Sequence, residues 1–74
     1  MEIAKNICVD KKIKNGKPVI KGTRVPVDLV LGKLAGGMTY EEVMKEYDLT
    51  RQDILSVLEY ASTYISGEEV RIVA

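Results

Sequence analysis

The sequence predicts a mainly α domain, a three-helix homeodomain-like or winged helix-turn-helix with a short N-terminal β-element. Three observations predict it. Apolar residues recur at helical spacing from Val27 onward, and two capping signatures eleven residues apart bracket one short helix. A stretch dense in glycine, proline and lysine, GKPVIKGTRVPV from Gly16 to Val27, separates the helices from short extended runs nearer the N-terminus. The 74 residues allow a single domain. It divides into a basic β-element or wing over 1–26, a three-helix unit over 27–66 and a C-terminal tail over 67–74.

In the first segment, Ile7, Cys8 and Val9 form one apolar run and Val19 and Ile20 another. Between them lies a lysine-rich stretch containing Asn15-Gly16, a strong turn signal, so the two runs are expected to pair. Pro18 has no amide proton and belongs at the start or edge of its strand, and Gly22 is expected to end it.

Helical periodicity starts near Pro26, which suits a first turn, and Asp28 puts a carboxylate near the positive end of the helix dipole. Val27, Val30, Leu31 and Leu34 make an apolar face, and Gly36-Gly37 stops the helix. Thr39 opens the second helix, its hydroxyl facing the Glu42 amide and the Glu42 carboxylate facing the Thr39 amide. Val43, Met44 and Tyr47 supply its buried side. A tight turn at Asp48-Leu49 leads to Thr50 and Asp53, the same reciprocal cap, and to a longer third helix. Ile54, Leu55, Leu58, Ala61 and Ile65 are its expected apolar face, and it ends near Ser66-Gly67. The tail, EEVRIVA, offers a short strand through Val70, Ile72 and Val73.

Formal net charge is zero, but the distribution is bipolar. Residues 1–26 hold seven cations against Glu2 and Asp10, a net +5, and residues 27–74 hold four cations against nine carboxylates, a net −5. The basic half suits phosphates, and the acidic half suits a basic partner or the basic half of another copy. Cys8 is the single cysteine and histidine is absent, so neither an intramolecular disulfide nor a zinc site is expected. Without a leader-like segment or a long apolar run, the sequence reads as a soluble cytoplasmic protein with no membrane partner.

A short second helix joined by a very short turn to a third is the outline of a helix-turn-helix unit, whose later helix offers its N-terminal part to the major groove. That brings forward Arg51 and Gln52, with Ser56 following along the exposed side. Arginine bonds guanine and glutamine bonds adenine, so these residue types suit base reading. Lys17, Lys21 and Arg24 suit phosphate contacts from a loop framed by Pro18 and Pro26. Each has an alternative. Capped trihelical bundles also bind protein alone, Asp53 and Glu59 make the third helix less basic than a DNA reader, and Arg24 also suits a structural role on loop carbonyls. Gly22 and Thr23 read as turn formers. Tyr40, Tyr47, Tyr60 and Tyr64 read as core or dimer contacts.

The segment GKPVIKGTRVPVDLVLGKLAGGMTYEEVMKEYDLTRQDILSVLEYA resembles the DUF433 family, VapB-like antitoxins of bacterial and archaeal type II toxin–antitoxin modules. Gly16, Lys17, Pro18, Gly22, Thr23, Arg24 and Pro26 match its signature, as do Leu49, Thr50, Asp53 and Ile54 at the start of the third helix. The sequence departs from the family in two places. Asn15 stands where many members have a second glycine, and Asp48 alone stands where many carry a proline and one further residue.

The resemblance implies an antitoxin that silences a PIN-like ribonuclease toxin and represses its own operon by binding operator DNA. Such a toxin gathers carboxylates around a metal and needs a basic surface for RNA. Glu59, Glu68, Glu69 and Arg71 are therefore the candidate partner-binding residues. A homodimer is expected, through the apolar tail or the N-terminal strand edge. No cofactor and no catalytic residue are expected. The alternative is a protein-interaction adaptor with no DNA-binding role.

Overall fold

The computed structural model describes residues 1–67, and three helices pack against a small three-stranded antiparallel sheet. In chain order these are β1 (Glu2–Ala4), β2 (Ile7–Cys8), β3 (Val19–Ile20), α1 (Val27–Ala35), α2 (Tyr40–Tyr47) and α3 (Arg51–Gly67). A 3-10 turn, Lys14–Gly16, lies between β2 and β3. The expected tail strand through Val70, Ile72 and Val73 lies outside the described residues.

The apolar runs pair as the sequence implies, with Ile7 opposite Ile20 and Cys8 opposite Val19. The first strand, β1, is an addition to the expected element. Its Glu2–Ala4 segment is too short and too polar to show alternation, and it is recruited by pairing Glu2 with Cys8 and Ala4 with Ile7. The far side of β3 is covered by the chain itself, because Ile20 N–H donates to the Val25 carbonyl (3.0 Å) and Val27 N–H to that of Pro18 (2.9 Å). The fold is therefore a mixed α/β domain, with β1 at the open edge of its sheet.

The helix ends follow the sequence closely. Pro26 is the N-cap of α1, and the helix closes in a Schellman arrangement, with Met38 N–H donating to Lys33 O (3.0 Å) and Gly37 N–H to Leu34 O (3.0 Å). Gly37 sits at φ 103, a conformation that excludes most side chains. Thr39 and Glu42 complete the capping box of α2, at 3.1 Å from Glu42 N–H to the Thr39 hydroxyl and 2.8 Å from Thr39 N–H to the Glu42 carboxylate.

The α2 helix closes on a related turn whose left-handed residue is Asp48, at φ 55, with its own N–H donating to Met44 O. Leu49 N–H reaches back to Met44 O at 2.9 Å. An L-residue carries a steric cost in this region that glycine does not, although aspartate bears it better than most. Asp48→Gly is expected to raise folding free energy by about 0.5 to 1 kcal/mol, after allowing for glycine's larger unfolded-state entropy. Urea denaturation of the two proteins checks this, and an unchanged midpoint would count against strain at Asp48.

One core serves the whole domain. Ile7 and Ile20 from the sheet, Val27 and Val30 from α1, Val43 from α2, the turn residue Leu49, and Ile54 and Val57 from α3 are all buried. The expected stripe of α3 needs correcting. Ile54, Val57, Leu58 and Ala61 form the inward row, whereas Leu55 is 43 % exposed and Ile65 is 64 % exposed. The sheet claims a second side of the helix, which rotates the buried surface away from Leu55, and α3 continues past the end of α1, leaving Ile65 uncovered.

Candidate functional site

Two loops carry the cations singled out in the sequence. The first turns through three successive left-handed residues, Lys14 (φ 51), Asn15 (φ 58) and Gly16 (φ 82). It is closed by Gly16 N–H to Ile13 O (3.1 Å) and Lys17 N–H to Lys14 O (3.2 Å). The second is the corner after β3, where Gly22 at φ 77 lets the chain reverse and the Thr23 hydroxyl ties both arms together. That hydroxyl donates to Ile20 O (2.7 Å) and accepts from Val25 N–H (3.0 Å). Gly22 and Thr23 are thus turn formers, and they hold Arg24 on a short rigid arm.

The three cations differ in their company. Lys17 faces Asp28 at 3.2 Å and Lys21 faces Glu2 at 3.4 Å, both pairs lying in solvent where such contacts are worth little. Arg24 is exposed and makes no hydrogen bond or ion pair with any described residue, its loop carbonyls included. It is the cation most available to an incoming anion.

The start of α3 is fixed by a second capping box. Thr50 N–H donates to one oxygen of Asp53 (3.0 Å) and Asp53 N–H donates to the Thr50 hydroxyl (3.1 Å). Arg51 turns back toward α2, its guanidinium 5.0 Å from the centre of the Tyr40 ring and Nη1 3.7 Å from Glu41. Gln52 is exposed. Ser56 is a correction, since it is 2 % exposed and lies under the β1–β2 turn, where the Asn6 side-chain amide reaches its hydroxyl at 3.5 Å. It has no path to a base edge.

Asn6 is the residue that sequence reasoning missed. It occupies a left-handed position (φ 67) in the two-residue link between β1 and β2. Its backbone N–H donates to Glu2 (2.8 Å), its carbonyl accepts from Lys21 N–H (2.8 Å) and its side-chain amide donates to Asp53 (2.9 Å). Sheet, basic corner and third helix meet at this one residue, the first two through its backbone and the third through its side chain. The signal was an asparagine between two extended runs, which is weak without knowing that β1 exists.

Both carboxylates around Asn6 are more acidic than usual. Burial pushes Asp53 upward, but the bonds from the Thr50 backbone N–H, the Asn6 amide and the Thr50 hydroxyl outweigh it and leave the group below the ordinary range. Glu2 is held low first by the Asn6 backbone N–H and then by Lys21.

The acidic partner residues are only partly placed. Glu59 is exposed on α3, on the rim of a groove formed with Ile3, Lys5 and Thr63. Glu68, Glu69 and Arg71 lie outside the described residues. Among the described residues no group of three or more histidine, cysteine, aspartate or glutamate side chains is placed to hold a metal ion. No described helix is long and apolar enough to cross a membrane.

A family model described as a protein of unknown function, DUF433, matches residues 7–61. That span runs from the first core strand through the capping boxes to the last buried turn of α3. No curated protein matches the chain. Among solved structures, the crystal structure of Rv2018 from Mycobacterium tuberculosis is similar to it at 34 % identity and a TM-score of 0.66. The likeness covers 72 % of this chain and 25 % of that one, so the chain spans about a quarter of that protein's length.

Proposed function

We propose that the chain, which belongs to the DUF433 family, is a cytoplasmic antitoxin that neutralises a PIN-like ribonuclease and binds operator DNA as an autorepressor. The observation that carries this reading is the α2–turn–α3 unit. Three residues, Asp48, Leu49 and Thr50, join the helices. The first is left-handed, the second is buried, and the third caps a helix whose first two residues, Arg51 and Gln52, are exposed. A three-residue connection of this kind suits a helix-turn-helix reader, which offers its later helix to the major groove.

In this reading the basic loops supply phosphate contacts through Lys17, Lys21 and Arg24, and base reading falls to Gln52 and to Arg51. Arg51 reaches a base only by leaving Tyr40 and Glu41, a pairing that solvent and salt make easy to exchange. Glu59 and the tail carboxylates serve the basic ribonuclease partner.

The second reading, an adaptor that binds its protein partner and no DNA, is favoured by the same helix. With Ser56 buried, the outward side of α3 after Gln52 carries exposed Leu55 and Glu59, an apolar group and a carboxylate that suit a protein surface better than a groove. Co-expression with the product of the adjacent reading frame, followed by a binding test on the upstream DNA, separates the two. Complex formation with DNA retention supports the antitoxin-repressor, and a complex without DNA retention supports the adaptor. A chain ending at Gly67 is expected to keep its helicity by circular dichroism and to lose neutralisation of the ribonuclease. Full inhibition at stoichiometric concentration would move the inhibitory element into the helical body.

A further inference from the structure

The surface between α1 and the C-terminal end of α3 holds a groove of about 420 Å³. Its floor is apolar, made by Pro18, Val27, Leu31, Tyr60 and Ala61, which are buried or half-buried. Its rim is a different set. Tyr64 and Ile65 project from the last described turns of α3, 62 % and 64 % exposed, and Lys17 and Asp28 form an opposite-sign pair across from them.

The same patch therefore carries an apolar hollow, two projecting apolar side chains and one charge of each sign. A two-fold contact requires a surface complementary to itself, and this one offers a hollow beside two projecting apolar groups and a charge of each sign. We propose that a second copy of this chain docks on this groove, each copy seating Tyr64 and Ile65 in the other's hollow and placing Lys17 against Asp28 of the second copy. The two-fold axis then passes near the ends of the α3 helices. It leaves Lys21, Arg24, the α3 N-terminus and Glu59 outside the contact and takes up Lys17, so dimerisation is read by light scattering in the absence of DNA. The N-terminal strand edge is a poorer site. β1 is three residues long and is bounded by the charged Glu2 and Lys5, features that discourage strand addition.

Light scattering on the full chain at micromolar concentrations is expected to show a dimer. Ile65→Glu and Tyr64→Glu, both at exposed positions that leave the core intact, are expected to weaken dimerisation at least about tenfold, while Leu55→Ser at the other exposed side of α3 leaves it unchanged. A charge exchange adds a specific test. Lys17→Asp gives the groove two carboxylates and Asp28→Lys gives it two ammonium groups, so each variant alone is expected to dissociate and an equimolar mixture to recover the dimer. A wild-type chain that stays monomeric overturns the proposal. So does a dimer indifferent to Ile65→Glu, or a mixture of the two charge variants that fails to associate.

Discussion

Asp53→Ala is expected to cost about 2 to 3 kcal/mol of folding free energy, a large share of the roughly 4 to 11 kcal/mol typical of a chain this long. Two losses combine. The α3 cap goes, because Thr50 N–H no longer has its acceptor at 3.0 Å. The Asn6 amide loses its partner at 2.9 Å and keeps only the longer contact to the Ser56 hydroxyl at 3.5 Å. Asn6→Gly separates these, since glycine keeps the left-handed backbone at φ 67 and removes only the side-chain bonds, to Asp53 and to the Ser56 hydroxyl. It is expected to cost about 1 kcal/mol, and the double variant to cost less than the sum by about 0.5 to 1 kcal/mol. Strict additivity in urea denaturation would mean that the Asn6–Asp53 contact contributes nothing.

Acid gives the same interaction a second readout. Asp53 is more acidic folded than unfolded, so its contribution is fully present above the ordinary carboxylate value of 3.8 and is lost as pH falls through the lower folded value. The difference between wild type and Asp53→Ala should therefore shrink as pH drops below about 4. Glu2 titrates in the same direction, held by the backbone N–H of the same asparagine. A gap between the two proteins that stays constant down to pH 3 would place the cost of the substitution elsewhere than in the ionised carboxylate.

Legibility in the sequence tracked the range of the interaction. Both capping boxes, the Gly37 stop and the Asp48 turn are settled within a few residues of chain, the boxes by Thr39, Glu42, Thr50 and Asp53, the stop by Gly36-Gly37 and the turn by Asp48-Leu49. The pairing of Ile7 with Ile20 was readable because both runs are wholly apolar. The errors lie where a distant segment decides. Ser56 sits at a position that helical spacing leaves outside the main stripe, and its burial brings it against Asn6, fifty residues away in the chain. Leu55 fits an apolar stripe until the sheet rotates the buried face toward Val57. Arg51 was correctly placed at the start of α3, but nothing local announces that Tyr40 and Glu41 hold its guanidinium. The cations of the basic loops were all visible. Which of them have carboxylate partners was not, because Lys17–Asp28 and Lys21–Glu2 bring together residues eleven and nineteen positions apart.

Those pairings set the ranking in the last prediction. Removing all three cations, by Lys17→Ala, Lys21→Ala and Arg24→Ala together, is expected to weaken binding to any DNA by about 10² to 10³-fold at roughly 0.1 M salt and to reduce the salt slope by about 2.7. Stability should change by less than about 0.5 kcal/mol, because the side chains are exposed and their ion pairs lie in solvent. The single variants should not be equal. Arg24 has no described partner, so a phosphate arriving there displaces only water and counterions and gains a forked donor. Lys17 and Lys21 must share their charge with Asp28 at 3.2 Å and Glu2 at 3.4 Å, and those carboxylates go on repelling the phosphate afterwards. Arg24→Ala is therefore the most damaging single change, whereas Asp28→Asn and Glu2→Gln should tighten binding. Fluorescence anisotropy on an upstream DNA fragment and on an unrelated one, across a salt series, measures all of these. If the triple variant keeps the wild-type salt slope, the basic loops do not touch the backbone, and if Asp28→Asn and Glu2→Gln leave affinity unchanged, the carboxylates beside Lys17 and Lys21 play no part in holding the anion off.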